Sequence, residues 1–288
     1  MNHNDSIREP AVAGQFYDAD PIELRKFIES SLADCRADVK NHVRALIVPH
    51  AGYVYSGEIA AKCFASTIGA NYKRAVIICP SHRISFNGLA ACNYSVYRTP
   101  LGDLEVDQQS VDSLLTNDCD FIGRLDEAHA HEHALEVELP FLQETHTNTN
   151  LVPLVCGQMD FPAVEEISES LMSLWNKDTL WVISSDFTHY GNSFGYTPFY
   201  KNIAQNIKDL DFGAVDKIVA LDGRGFYDYI KETGATICGV NPITILLEVI
   251  KRSGENILPE LTDYTTSGAL SGNYKHCVSY AGFTFSEK

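Results

Sequence analysis

The chain has 288 residues, which is enough for one large α/β domain or two small ones. Hydrophobic residues make up 45% of it and charged residues 21%, an ordinary balance for a globular protein, and it has no run of about 18 apolar residues that would predict a membrane span. The formal net charge is −16, and such a surface repels phosphate backbones, so we do not expect nucleic acid as a partner.

Predicted strands and helices alternate along the chain. An extended arm leads to Asp20, which is predicted to cap a helix over 21–37 that has Pro21 at its first position. The other predicted elements are a strand at 43–48, a turn at 49–57, a helix at 58–67, a strand at 75–79, an edge strand or hairpin at 89–97, a helix at 107–115, a helix from about 133, a strand at 151–155, a helix at 163–175, a strand at 180–184, a mainly helical block to 231, a helix at 242–251, and strands at 258–265 and 277–285. This alternation predicts one domain over 1–288, a three-layer α/β/α architecture around a largely parallel or mixed sheet.

Three of the apolar runs end in residues that can bind metal or transfer protons. His50 follows the run 45–48, His82 follows the run 75–79, and Asp186 and His189 follow the run 180–184. Such runs are typical of buried parallel strands, whose carboxyl ends form the ligand-binding edge of an open sheet. Parallel strands lie about 4.8 Å apart, so two neighbouring ends can bring His50 and His82 onto one metal ion. Either histidine alone could instead be hydrogen-bonded in a tight turn.

Asp186 and His189 offer a carboxylate and an imidazole beside that predicted metal site. His189 is predicted to act as general acid or base, and Asp186 to orient it or to bind metal. Asp186 could also serve as the N-cap of a turn.

Cys238 precedes the predicted helix that has Asn241 as its cap and Pro242 at its first position. A helix dipole at this place would favour a thiolate, which is either a soft metal ligand or a nucleophile. The alternative is a buried and inert thiol.

The segment 129–133 contains three histidines. We expect His129 and His131 at the surface of a loop. His133 and Glu136 would lie three residues apart on one face of a helix, where they could form a second layer of residues around the metal ligands. The sequence contains neither a Gly-x-Gly-x-x-Gly fingerprint nor a P-loop, so we expect no nucleotide cofactor.

The compartment is predicted from the N-terminus and the cysteines. Residues 1–6 are polar and lack the basic-then-apolar order of a signal peptide, so we expect a cytoplasmic protein. The eight cysteines are scattered without a Cys-x-x-Cys pair, which disfavours a disulfide framework and a structural zinc site.

Seven motifs of the chain, in this order, resemble those of the Memo family, whose prokaryotic members are also called AmmeMemoRadiSam system protein B. They are Arg-Glu-Pro-Ala-Val-Ala-Gly-Gln-Phe-Tyr at 8–17, Pro-His-Ala-Gly-Tyr at 49–53, Pro-Ser-His at 80–82, Tyr-Arg-Thr-Pro-Leu-Gly at 97–102, Glu-His-Ala-Leu-Glu at 132–136, Ser-Ser-Asp-Phe-Thr-His at 184–189 and Thr-Ile-Cys-Gly at 236–239. Together they span nearly the whole chain. The resemblance implies the fold of class III extradiol dioxygenases, which open catechol rings with non-haem Fe(II).

The resemblance also implies roles for individual residues. His50 and His82 would be the two histidine ligands, His189 would take the place of the acid/base histidine, and Cys238 would stand where those dioxygenases have a carboxylate ligand. Iron, as Fe(II), is therefore the first expectation, and the thiolate makes Cu(I) or zinc the alternatives. Because function depends on the site and not on the fold, ring cleavage is not implied.

Three functions remain open at this point. The first is redox or oxygen-dependent chemistry at a metal, acting on an unidentified small molecule or protein. The second is a non-catalytic binding module whose partners would be the associated AMMECR-type and radical SAM proteins. The third is a hydrolase or transferase in which Cys238 is the nucleophile and His189 the base.

Overall fold

The structure is a computed structural model that describes residues 6–35, 42–117 and 119–288. The strands in these ranges are β1 (Ile7–Arg8), β2 (Val43–Val48), β3 (Arg74–Pro80), β4 (Leu89–Ala91), β5 (Val96–Thr99), β6 (Gly102–Glu105), β7 (Ile122–Arg124), β8 (Asn150–Cys156), β9 (Thr179–Ser184), β10 (His189–Gly191), β11 (Ile257–Thr266) and β12 (His276–Glu287). The helices are α1 (Pro21–Ala33), α2 (Tyr53–Ala65), α3 (Gln108–Leu115), α4 (Asp126–Ala130), α5 (His133–Glu136), α6 (Leu139–Thr145), α7 (Phe161–Ser170), α8 (Ile203–Val219), α9 (Gly223–Thr233), α10 (Val240–Ser253) and α11 (Ser267–Ser271), with short 3-10 turns at Leu171–Leu174 and Asn192–Phe194.

The main sheet is mixed, with a parallel centre. Its strand order is β10-β12-β2-β9-β3-β8-β4-β7, and β11 pairs with β12. The four strands β2, β9, β3 and β8 run parallel to one another, whereas β12 is antiparallel to β2 and β4 is antiparallel to β8. The predicted α/β/α architecture around a largely parallel or mixed sheet is confirmed.

Two groups of helices cover this sheet. Helix α2 packs against β2 and β12, and α1 and α6 pack against α2. Helix α10 packs against β3 and β9, and α7 and α9 pack against α10. All residues of β2 and β9 are buried, which explains why the sequence shows continuous apolar runs in place of an alternating pattern. No helix in the described part of the chain is both long and apolar enough to cross a membrane.

The four parallel strands were predicted to within one residue at each end, but several other elements differ, among them α2 and the segment 89–97. Helix α2 begins at Tyr53, five residues before the predicted start, because the backbone N–H of Tyr53 donates to the carbonyl of Phe16 in the N-terminal arm at 2.8 Å. The predicted edge strand or hairpin at 89–97 is wrong. Strand β4 pairs with both β8 and β7, whereas β5 joins β1 and β6 in a separate three-stranded sheet.

Helix α1 begins at Pro21 with Asp20 as its cap, as predicted. It ends at Ala33, and the predicted end at 37 lies outside the described residues.

Candidate metal centre

The sheet brings His50, His82 and Cys238 together at the carboxyl edge of its parallel strands. His50 follows β2 and His82 follows β3. Strand β9, which ends at Ser184, lies between β2 and β3 in the sheet. One donor atom from each of the three residues lies within 4.8 Å of the other two. The closest contact joins His50 Nε2 and Cys238 Sγ at 3.2 Å. The three predicted ligands therefore share one site in the described structure.

The hydrogen bonds of His50 determine which of its ring nitrogens can bind a metal. The Ser184 hydroxyl donates to the carbonyl of Ala134 at 2.6 Å and must therefore accept from His50 Nδ1–H, which lies 2.8 Å away. Burial, together with the neighbouring His82 and His133, lowers the pKa of His50 well below its usual value. The imidazole is thus neutral, with the lone pair of Nε2 available to a metal.

A carboxylate holds His82 in the same tautomer. His82 Nδ1 donates to Glu132 Oε1 at 2.9 Å, and the backbone N–H of His82 donates to Oε2 at 2.6 Å. Burial alone would raise the pKa of Glu132, but the adjacent imidazoles of His133 and His82 outweigh it and hold that pKa well below the usual range. Glu132 was not predicted as a site residue, although it lies in the histidine-rich segment.

The donor set fits a metal ion. An ion bound tetrahedrally at about 2.0 Å from an imidazole nitrogen and about 2.3 Å from a sulfur would separate these atoms by roughly 3.5 Å, close to the contact between His50 and Cys238. Two imidazoles and one sulfur suit iron, copper and zinc better than Mg²⁺ or Ca²⁺, which prefer oxygen.

The surroundings of Cys238 differ from the prediction. Gly239, and not Asn241, is the N-cap of α10, and the Asn241 amide instead donates to the carbonyl of Gly157 at 3.0 Å. Burial, followed by the nearby Asp186, raises the pKa of the Cys238 thiol well above its usual value. Burial therefore outweighs the helix dipole, and a thiolate forms here only if a metal displaces the proton.

Asp186 and His189 lie beside the three donor residues. Asp186 Oδ1 accepts the backbone N–H of His50 at 2.9 Å, and burial raises the pKa of this carboxyl although His189 acts against the shift. His189 Nδ1 donates to the carbonyl of Thr236 at 2.9 Å, which leaves Nε2 for a substrate proton.

Two cavities border the site. The larger, of about 680 Å³, is lined by the side chains of His50, His82, His133, Asp186 and His189 together with Phe16, Phe194 and Tyr280. The smaller, of about 330 Å³, is lined by His82 and Cys238 and by the ends of β3 and β8. The larger one combines aromatic walls with imidazoles and a carboxyl, and it is therefore the candidate substrate cavity.

The structure does not bring His133 and Glu136 into one pocket. The ring of His133 lies 4.6 Å from that of His82 and lines the larger cavity. Glu136 is fully buried under the N-terminal arm, where it accepts from the Arg8 guanidinium and from the backbone N–H of Val12 at 3.0 Å. Glu136 supports the cavity only indirectly, because the arm it holds carries Phe16, a residue of the cavity wall.

His131 is exposed, as predicted, but the surface position predicted for His129 is wrong. His129 is buried, with Nδ1 accepting from the Tyr97 hydroxyl at 2.6 Å and Nε2 donating to the carbonyl of Ala90 at 3.0 Å. Burial lowers the pKa of His129 to about 4 from 6.5, so the folded protein keeps this ring neutral.

We expect stability to fall as the pH drops from about 6.5 to about 4, because His129 then takes up a proton in the unfolded chain but not in the folded one. The loss for this residue is on the order of 3 kcal/mol, and it is complete below the folded pKa. Urea unfolding across this pH range measures it, and His129→Gln should reduce the dependence by this amount, while His50 and His146, whose pKa values are also lowered by burial, keep their share. His131→Gln, at an exposed position, should leave the dependence unchanged; an equal effect of both substitutions would contradict the assignment.

Fold and site together define an α/β protein with a cluster of nitrogen and sulfur donors at its strand ends. The chain belongs to the Memo family, because the family model described as Memo-like protein matches residues 8–284. It is 32% identical to a MEMO1 family protein of Methanopyrus kandleri over 96% of this chain and 98% of that protein. It is 34% identical to the Protein memo-1 homolog of Caenorhabditis elegans, over 95% of this chain and 81% of that protein, and 33% identical to a MEMO1 family protein of Thermoplasma volcanium, over 96% and 97%.

Proposed function

We propose that the protein binds one redox-active metal ion, iron or copper, through His50, His82 and Cys238. The observation that carries the proposal is the convergence of these three donor atoms within 4.8 Å, with both imidazoles held at Nδ1 by hydrogen bonds. Residues that merely pack together have no need of such an arrangement, whereas a metal requires unprotonated Nε2 atoms that face one point. The mixed nitrogen and sulfur donors favour iron or Cu(I), with zinc as the redox-inactive alternative.

We further propose redox or oxygen-dependent chemistry on a small molecule or an exposed protein segment. The bound metal would supply the electron transfer or the activation of oxygen. In the larger cavity, Phe16, Phe194 and Tyr280 would bind the apolar part of the substrate, while Asp186 lies beside the metal site. His189 would take up or release the substrate proton at Nε2, since Nδ1 is bound to the carbonyl of Thr236.

We also propose that the protein works in a reducing compartment such as the cytoplasm. All eight cysteines lie in the described part of the chain, and all are free thiols. A soft metal site with an oxidisable sulfur is stable only where thiols are kept reduced.

Metal titration tests the proposal. The metal-free protein, titrated anaerobically with Fe(II) and with Cu(I), should bind one equivalent of at least one of them. His82→Ala should weaken that binding by more than the roughly 10–100-fold typical of losing an outer partner, because it removes a ligand. The exposed His131→Ala is the matched control and should bind like the parent. Absence of saturable binding, or unchanged binding in His82→Ala, would contradict the proposed function.

A further inference from the structure

We propose that Glu132 is the positioning residue of the metal centre, which holds His82 so that its Nε2 faces the ion. This inference rests on the proposed function, since it assigns a role toward the same metal. Glu132 itself is not placed among the ligands, because its two oxygens are already engaged by donors from the protein.

Every contact of the Glu132 carboxylate is with an N–H donor. Oε2 accepts the backbone N–H of His82 at 2.6 Å, and Oε1 accepts His82 Nδ1–H at 2.9 Å and the backbone N–H of Ala134 at 3.0 Å. Both the ring and the backbone of His82 are therefore attached to one side chain, which fixes the position of the ring as well as its tautomer.

The backbone of Glu132 is itself anchored. Its carbonyl accepts from Arg8 Nη2 at 2.6 Å, and its side chain is 1% exposed. His133 Nδ1 lies 3.2 Å from Oε1 but has no hydrogen-bond partner within the residues that the structure describes, so His82 has the better-aligned hydrogen bond to this oxygen. Contacts within the protein thus orient the Glu132 carboxylate toward His82 without any contribution from a metal.

The second histidine ligand is supported differently. His50 Nδ1 donates to the neutral hydroxyl of Ser184, and behind it lies Glu138, whose Oε1 is 3.1 Å from the Ser184 hydroxyl. Burial raises the pKa of Glu138 well above its usual value, so this second buried glutamate is neutral. Of the two proposed histidine ligands, His82 is therefore the one whose Nδ1–H is held by a carboxylate, whereas that of His50 is held by a hydroxyl.

The same substitution, glutamate to glutamine, distinguishes the role of Glu132 from that of Glu138. Glu132→Gln keeps the shape of the side chain but presents an amide –NH₂ group to a neighbourhood of donors, which favours the wrong tautomer of His82. We expect it to weaken Co(II) binding by about 10–100-fold, measured by competition with a chelator, and to shift the ligand-field bands of the bound Co(II). Glu138→Gln replaces a neutral carboxyl by a neutral amide and should stay within about threefold of the parent.

A second measurement needs no metal. Nitrogen-15 NMR of the histidine rings should show His82 of the parent protein as the Nδ1–H tautomer and should show a gain of the Nε2–H tautomer in Glu132→Gln. An Nε2–H tautomer in the parent, or equal Co(II) affinities of the parent and Glu132→Gln, would overturn the inference. If the parent binds neither Co(II) nor Fe(II) and Cu(I), the proposed function fails, while the NMR result still decides whether Glu132 orients His82.

Discussion

Replacing Cys238 by serine is expected to weaken binding of the metal at the strand edge by more than about 100-fold, which exceeds the loss typical of removing an outer hydrogen-bond partner. The substitution takes away the only sulfur among the three converging donors and leaves a hydroxyl, which is a poor ligand for Cu(I). The charge-transfer absorption from thiolate to Co(II), which substitutes for iron in a spectroscopic assay, should disappear at the same time. Metal titration and absorption spectra of the two proteins measure both effects.

Cys35→Ser is the matched control for this experiment, because Cys35 is a free, half-buried thiol next to the end of α1 that contacts the carbonyl of Ser31. It should bind metal like the parent. Unchanged binding in Cys238→Ser would contradict the assignment of the ligands. It would direct attention to the second group of residues with converging donor atoms, His82, Glu132 and His133.

Glu136→Gln is expected to lower the free energy of unfolding by about 3–5 kcal/mol. The carboxylate of Glu136 and the guanidinium of Arg8 form an ion pair in which both side chains are almost completely buried. Its oxygens also accept the backbone N–H groups of Ala11 and Val12 and the hydroxyl of Tyr17, so one side chain holds the N-terminal arm at four residues. Removing the negative charge leaves the buried guanidinium of Arg8 without its counter-charge, a large penalty for a side chain that is 1% exposed.

Denaturant unfolding measures this effect, and Glu144→Gln is its control. Glu144 pairs with Arg25, whose side chain is 46% exposed, and such a surface pair contributes at most about 1 kcal/mol. Equal destabilisation by the two substitutions would show that the buried pair does not hold the arm. Because the arm carries Phe16, Glu136→Gln should also loosen the wall of the larger cavity.

The sequence predicts the centre of this molecule well, for a physical reason. Strands buried on both faces need continuous apolar runs, which the sequence shows directly. Because neighbouring parallel strands run in the same direction, the carboxyl ends of these runs lie at the same edge of the sheet. Polar residues such as His50 and His82, placed directly after two such runs, then have to meet at one edge. Cys238 could not be placed by that argument, because it belongs to a turn before a helix. Its place followed only from the family resemblance.

Other features depend on contacts between distant parts of the chain, which local patterns do not contain. The early start of α2 depends on a hydrogen bond from Tyr53 to the N-terminal arm. Glu132 and Glu138 are six positions apart and of one residue type, yet one is held ionised by donors and the other neutral by burial. His129 was expected in a surface loop but is buried by its bonds to Tyr97 and Ala90.

The most direct test of the account is X-ray absorption at the metal edge of anaerobically reconstituted protein, compared with Cys238→Ser. The account predicts one sulfur at roughly 2.3 Å and two imidazole nitrogens at roughly 2.0 Å, distances typical of first-row metals bound by cysteine and histidine, with the sulfur absent in the variant. A parent spectrum with only oxygen and nitrogen neighbours, or a sulfur signal that persists in Cys238→Ser, would contradict a metal centre built from His50, His82 and Cys238.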